Sequence, residues 1–358
     1  MACLRQGLRL ARDHRLAGLG WLIDAAFVYT DDSVWEPLAP STAEDPDTPA
    51  DALAELLTAI ARRQREHRHR TADRLTAVLD TGLLPDELTE MALYYRAKAH
   101  KDLSQNDAAR AGMQQVTDIG GRLASKARRG LANLARLAGD FPAALAAVPT
   151  LGWKGRHHRV LGDIHWSQAD TDQAVAAFEA GRAEAEQHGA AGERAMTQAR
   201  LALAVSFADP VRADDELALA DQLLNGFDQR SNRLLAQAVA LIKDAGTDAG
   251  TGDVTGRAQS LHTDIEAAGL PFLHRFVAVA LAFHHAVRGE DQDLAATIGR
   301  LRELTVTGDF AYFTDIAHFM AGLPLPEPAA TRWTKNDDVR SAWRGLVRAR
   351  QEHLRTGS

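Results

Sequence analysis

Fourteen histidines are the first residues in this chain with chemistry to offer, because neutral imidazole binds transition metals and titrates near neutrality. The tightest groupings are His157, His158 and His165, and His274, His284 and His285. Neither has the H-E-x-x-H spacing that sets two imidazoles on one helix face, and neighbours in sequence point to different faces. The spacing predicts no metal centre. Phosphate chemistry needs a glycine turn followed by lysine and a hydroxyl residue. The loop GTDAGTGDVTG at 246–256 has the glycines without the lysine, and no strand precedes it, so it reads as a flexible turn. Serines occur without a G-x-S-x-G elbow. The pairs Asp214-Asp215 and Asp337-Asp338 read as solvated helix starts rather than catalytic carboxylates. The residues therefore predict neither an enzyme nor a cofactor site.

Charge gives two further leads. RRQREHRHR at 62–70 is the densest basic run and could meet phosphates. No aromatic platform interleaves it, so a solvated connection between helices is the preferred reading and a nucleic-acid-binding helical protein the alternative. The net charge of −7 exerts no overall pull toward nucleic acid or anionic lipid. The single cysteine, Cys3, excludes an intrachain disulfide and a cysteine-rich metal site, which suits a reducing cytoplasm. No apolar run reaches the roughly 18 residues of a membrane helix, and MACLRQGLRL lacks the uncharged core of a secretory signal.

The elements carrying these side chains are expected to be helices. Hydrophobic residues are 46% of the 358, mostly Ala and Leu, with aromatics at 6% and no alternating Val/Ile runs. Residues 1–36 read as an N-terminal helical pair, Leu4 to Asp13 and Leu16 to Tyr29. A proline-rich linker over 37–49 follows, then a helical array over 50–323. A second linker spans 324–338, and 339–358 reads as a detached amphipathic helix with Val339, Trp343, Leu346 and Val347 on one side. Trp343 is either an anchor for another chain or a plug on the end of the array.

Within the array one layout recurs: a small residue, a step to alanine, and an apolar plug four residues later. It places Ala97, Ala109 and Met113; then Ala132, Ala144 and Val148; then Gly162, Ala174 and Phe178. The small residues are 35 and then 30 residues apart. Leu161-Gly162 with His165, and Ala174 with Phe178, follow the L-G-x2-Y and A-x3-F spacings of the tetratricopeptide repeat, whose period is about 34 residues. The chain resembles that family over residues 86–183, and less specifically over 50–320. The match fades after Ala202, where the pattern opens a helix whose second half contains Pro210 and drops the alanine register.

The resemblance implies an all-α, right-handed solenoid of antiparallel helix pairs that binds a protein or peptide in its concave groove, without catalysis or cofactor. The chain also resembles the repeat region of actinobacterial signalling ATPases of the STAND class, which implies a bacterial, regulatory setting and an ATPase module N-terminal to these residues. In such a fold the first helix of each pair lines the groove. The groove set is then Tyr94, Lys98 and Lys101; Lys126, Arg129, Asn133 and Arg136; and Arg156, Arg159, Asp163 and Trp166. This strip is basic within an acidic chain, so the expected partner is an acidic, partly apolar segment held by the arginines and by packing on Trp166. Arg129 with Asn133 resembles part of the family's carboxylate-gripping set, but Val160 stands where the next repeat would supply the partner asparagine.

Overall fold

Alanine and leucine favour helix at almost every position, and the chain obeys them. A computed structural model describes residues 2–15, 18–31, 46–62, 68–227, 230–247, 253–306, 310–325 and 336–356, and every regular element within them is helical. The chain forms two compact units, Met1–Leu134 with Thr150–Gly155, and Ala135–Pro149 with Arg156–Ser358. The division falls inside a helix, at 134/135. Most of the 37–49 linker, residues 63–67 of the basic run, residues 248–252 of the glycine-rich loop and 326–335 of the second linker lie outside the described residues.

The first unit contains α1 (Ala2–Asp13), α2 (Trp21–Asp31), α3 (Pro49–Arg62), α4 (Arg68–Asp80), α5 (Asp86–Asp102), α6 (Asn106–Ile119) and most of α7 (Ala124–Leu137). The N-terminal pair is part of its core: Leu4, Leu8, Leu22 and Phe27 are buried in one cluster with Leu53, Leu57, Leu75 and Tyr95. Helix α2 starts five residues later than its apolar pattern suggests, because Gly20 takes a left-handed turn (φ 47°) immediately before it. The α5–α6 crossing is close for a reason that the recurring layout only half captures. A Cβ on Gly112 would sit 2.8 Å from that of Ala97, so the small pair is Ala97 with Gly112, one turn beyond Ala109. Glu90, buried on α5, accepts from the amides of Arg122 and Leu123 at 3.1 and 2.9 Å, and so supports the entry to α7.

The second unit continues from the end of α7 through α8 (Phe141–Ala147), α9 (His157–Ser167), α10 (Thr171–Gln187), α11 (Ala191–Ala208), α12 (Pro210–Leu224), α13 (Arg230–Lys243), α14 (Val254–Ala268), α15 (His274–Arg288), α16 (Asp291–Leu304), α17 (Ala311–Ala321) and α18 (Asn336–Thr356). From α9 onward each helix packs on the next, and α9, α11, α13, α15 and α17 also pack on one another in succession. At the α9–α10 crossing a Cβ on Gly162 would lie 2.5 Å from the Phe178 ring, so the glycine makes room for the plug itself. The middle copy of the layout is irregular: α8 has only seven residues and ends in a 3₁₀ turn, Val148–Thr150.

Pro210 does not break the array. It is the first residue of α12, where its missing N–H costs nothing, and Asp209 before it accepts from the amides of Val211 and Arg212. Helix α11 also begins at Ala191, eleven residues before the opening expected at Ala202. Its buried residues face all sides, Thr197 and Gln198 among them, so no polar stripe reveals it.

The expectation of a detached C-terminal helix fails. Helix α18 begins at Asn336, inside the expected linker, and packs on α11, α15 and α17 with Trp343 fully buried. No described helix is long and apolar enough to cross a membrane.

Candidate functional site

Helix C-termini end in carbonyls without partners, and α18 meets five of them. Trp343 donates its indole N–H to Ser167 O at the end of α9 (3.4 Å), and Arg344 donates to Met320 O of α17 (3.0 Å). Arg350 donates to Ser206 O of α11 at 2.6 Å and to Lys243 O of α13 at 2.7 Å, with Ile242 O and Ala245 O also in reach. Gln351 donates to Ala286 O and Val287 O of α15. Each arginine puts positive charge where helix dipoles concentrate negative charge. Burial lowers the Arg350 pKa to about 10, against the opposing pull of Asp244 and Asp209, so it remains a cation at neutral pH. Beneath this clasp Trp343 meets Trp166 and Phe207 edge-on, and Trp166 also contacts Phe276 and Phe313.

The expected groove residues of the second unit are engaged within it. Trp166 is buried in the aromatic cluster and offers no exposed packing surface. Asp163 is buried between two guanidiniums, Arg200 Nη1 at 3.5 Å and Arg136 Nη2 at 4.0 Å. Arg136 also donates to the hydroxyl of buried Tyr312 at 2.7 Å. Burial lowers the pKa of Arg200, with Asp163 opposing, and burial raises that of Tyr312, with Arg136 opposing. The expectation that Arg136 lines an open groove is corrected: it is only 6% exposed. Arg156 and Arg159 both pair with the carboxylate of Glu193, at 3.3 and 2.6 Å. Sequence reading missed Arg200, Tyr312 and Glu193. Arg159 and Glu193 are 34 residues apart, a repeat-length interval that could have flagged that pair.

In the first unit the same repeat position stays nearer the surface. Arg129 on α7 donates to the Tyr94 hydroxyl of α5 at 3.3 Å, 35 residues away. Tyr94 itself is buried, edge-on to Tyr95 with centroids 5.1 Å apart. Lys98 stands 5.9 Å over the Tyr95 ring, and Lys101 pairs with Asp102 at 3.2 Å. Lys98, Lys126, Arg129 and Asn133 are all half-buried. The carboxylate-gripping partner position, Val160, is fully buried in the second unit.

The histidines also depart from expectation. His165 faces Asp170 at 3.3 Å, but the adjacent His157 and His158 do not diverge: their ring centroids are 3.8 Å apart. His284 accepts from the Gly246 amide at 3.1 Å, and His285 bonds Glu290 at 2.8 Å, so both rings of that pair are engaged. Comparison of the chain with protein-family models, curated protein sequences and solved structures found no match.

Proposed function

We propose that this chain is a tetratricopeptide-like module of helix pairs that binds a protein or peptide and catalyses no reaction, acting as part of a larger regulatory protein of the STAND signalling type. Its ligand is an acidic, partly apolar segment laid against α5 and α7 of the first unit. The observation that carries this reading is the Arg129–Tyr94 contact across one repeat, with Lys98, Lys126 and Asn133 half-buried on the same two helices. Guanidinium and ammonium groups at this depth keep enough water to exchange for a carboxylate, while their stems offer apolar surface. The equivalent residues of the second unit are buried or matched by Glu193, so the reading concentrates on the first unit.

The test is fluorescence anisotropy with a panel of labelled peptides that mix Asp/Glu with Leu/Phe, beside a single-stranded oligonucleotide. Lys126→Glu with Arg129→Glu should weaken acidic-peptide binding at least tenfold and leave helicity unchanged. Equal peptide affinity in the variant, or binding of the oligonucleotide alone, overturns the proposal.

A further inference from the structure

Helix α9 opens with two histidines directly after Arg156, a non-glycine residue held in the left-handed region (φ 57°). Strain of that kind persists only where surrounding structure enforces it. The His157 and His158 rings lie side by side rather than on separate faces, tilted by 38° with centroids 3.8 Å apart. Helix α10 runs beside them and presents two residues one turn apart. At Gly181 an added Cβ would stand 3.2 Å from that of His158, so the glycine admits the histidine closely. At Glu184 a carboxylate oxygen lies 3.8 Å from His157 Nδ1, too far for a hydrogen bond. One donor atom from each of His157, His158 and Glu184 falls within 4.8 Å of the others.

We propose that His157, His158 and Glu184 form a binding site for a divalent transition-metal ion of the zinc or cobalt type. Two observations favour this over a chance grouping. His157 Nδ1 is buried with no hydrogen-bond partner, a condition that folded proteins rarely leave unmet. Among the described residues no lysine or arginine pairs with Glu184, so its charge remains available to a cation.

The donor set selects the metal. Two imidazoles and one carboxylate suit zinc, cobalt, nickel or copper, whereas calcium and magnesium require mostly oxygen. A tetrahedral ion about 2.0–2.1 Å from each donor would hold the donors roughly 3.4 Å apart. His157 and Glu184 are each about a quarter exposed, at 27% and 24%, so water can reach a fourth position. By bridging α9 and α10 the ion would pin the helix pair closed at the end opposite Ser167, where α18 bonds.

The experiment is titration of the full chain with Co²⁺, followed by the visible absorption of tetrahedral cobalt and by its displacement with Zn²⁺. One equivalent should saturate the band, and Zn²⁺ should abolish it. Glu184→Gln and His158→Gln should each weaken Co²⁺ at least about tenfold. His285→Gln, in the histidine pair whose rings are already engaged, should leave binding unchanged. Glu184 is partly exposed, so Glu184→Gln retains the fold even if His158→Gln does not, and circular dichroism verifies this. No saturable band at one equivalent overturns the site, as does undiminished binding in Glu184→Gln or a loss confined to His285→Gln.

Discussion

The α5–α7 face of the first unit and the α9–α11 face of the second start from the same repeat position and reach opposite environments. In the first, Arg129 bonds a tyrosine hydroxyl and stays half-buried beside Lys126 and Asn133. In the second, Asp163 lies buried between Arg136 and Arg200, and Trp166 is sealed beneath Trp343. The difference comes from later helices: α18 covers Trp166 with its own aromatic plug and supplies donors for the carbonyls at the ends of five helices, while Arg200 of α11 and Tyr312 of α17 engage Asp163 and Arg136. A repeat position therefore does not determine whether a side chain binds a ligand or builds a core. What the rest of the chain lays against it decides.

The largest effect should follow from breaking the clasp. Trp343→Ala removes a fully buried indole from between Trp166 and Phe207 and should cost the second unit ~3–5 kcal/mol. Arg136→Glu should cost a similar amount, because it places a second carboxylate beside buried Asp163 and strips Tyr312 of its donor. Hydrogen exchange read by mass spectrometry separates the units. Protection should fall in peptides from α9, α11 and α17 and hold in those from α3 and α5. Equal loss in both sets would erase the contrast.

The sequence made the helices legible where one face is apolar and the other polar, and hid the burial that depends on remote partners. Val254–Ala268 and Asp291–Leu304 carry clear stripes, with Val254, Ala258, Leu261 and Ile265 buried in the first and Leu294, Ile298 and Leu301 in the second. Helix α11 has no stripe because Thr197, Gln198 and Ala199, three successive residues that face different sides, are all buried. Trp343 read equally well as an anchor for another chain, because its partner Trp166 is 177 positions away and no local periodicity links them. Arg136 and Arg129 look alike in sequence, seven residues apart on one helix face. Asp163 and Tyr312, both remote from Arg136 in sequence, separate their roles. The expectation that adjacent histidines point apart does not hold for His157 and His158, whose rings lie together in the first turn after left-handed Arg156.

A second, smaller effect should appear in acid. Burial, with positive charge on His285 and Arg288, pushes the His284 pKa down to about 4 from its ordinary 6.5, against weaker opposing pulls from Glu290 and Asp253. Between those values the unfolded chain binds a proton that the folded chain refuses, so stability rises with pH across this window and falls as pH drops through it. The loss should be on the order of 3 kcal/mol by pH 4, because protonated His284 can no longer accept from Gly246. Protection in α13 and α15 should decline between pH 6.5 and 4. His284→Asn supplies an uncharged acceptor and should flatten that decline. An unchanged acid profile in this variant would mean that another group controls it.

The smallest effect is the one that separates a ligand-facing residue from a core residue most cleanly. Arg129→Glu loses a single 3.3 Å hydrogen bond from a half-buried side chain to Tyr94, whose ring remains packed on Tyr95. Water can take the place of that donor, and surface changes of this kind stay within about 0.5 kcal/mol. Arg136, seven residues further along α7, has no such exit to water, and its reversal belongs with the largest effects. Measured side by side, the two reversals should therefore differ by several kcal/mol in stability, although both replace an arginine with a glutamate on the same helix. If Arg129→Glu also costs more than about 2 kcal/mol, in the range of a lost buried charge contact, then the α5–α7 face is as much a core as the α9–α11 face. Its arginine would then be structural, and the acidic ligand would have to be sought elsewhere.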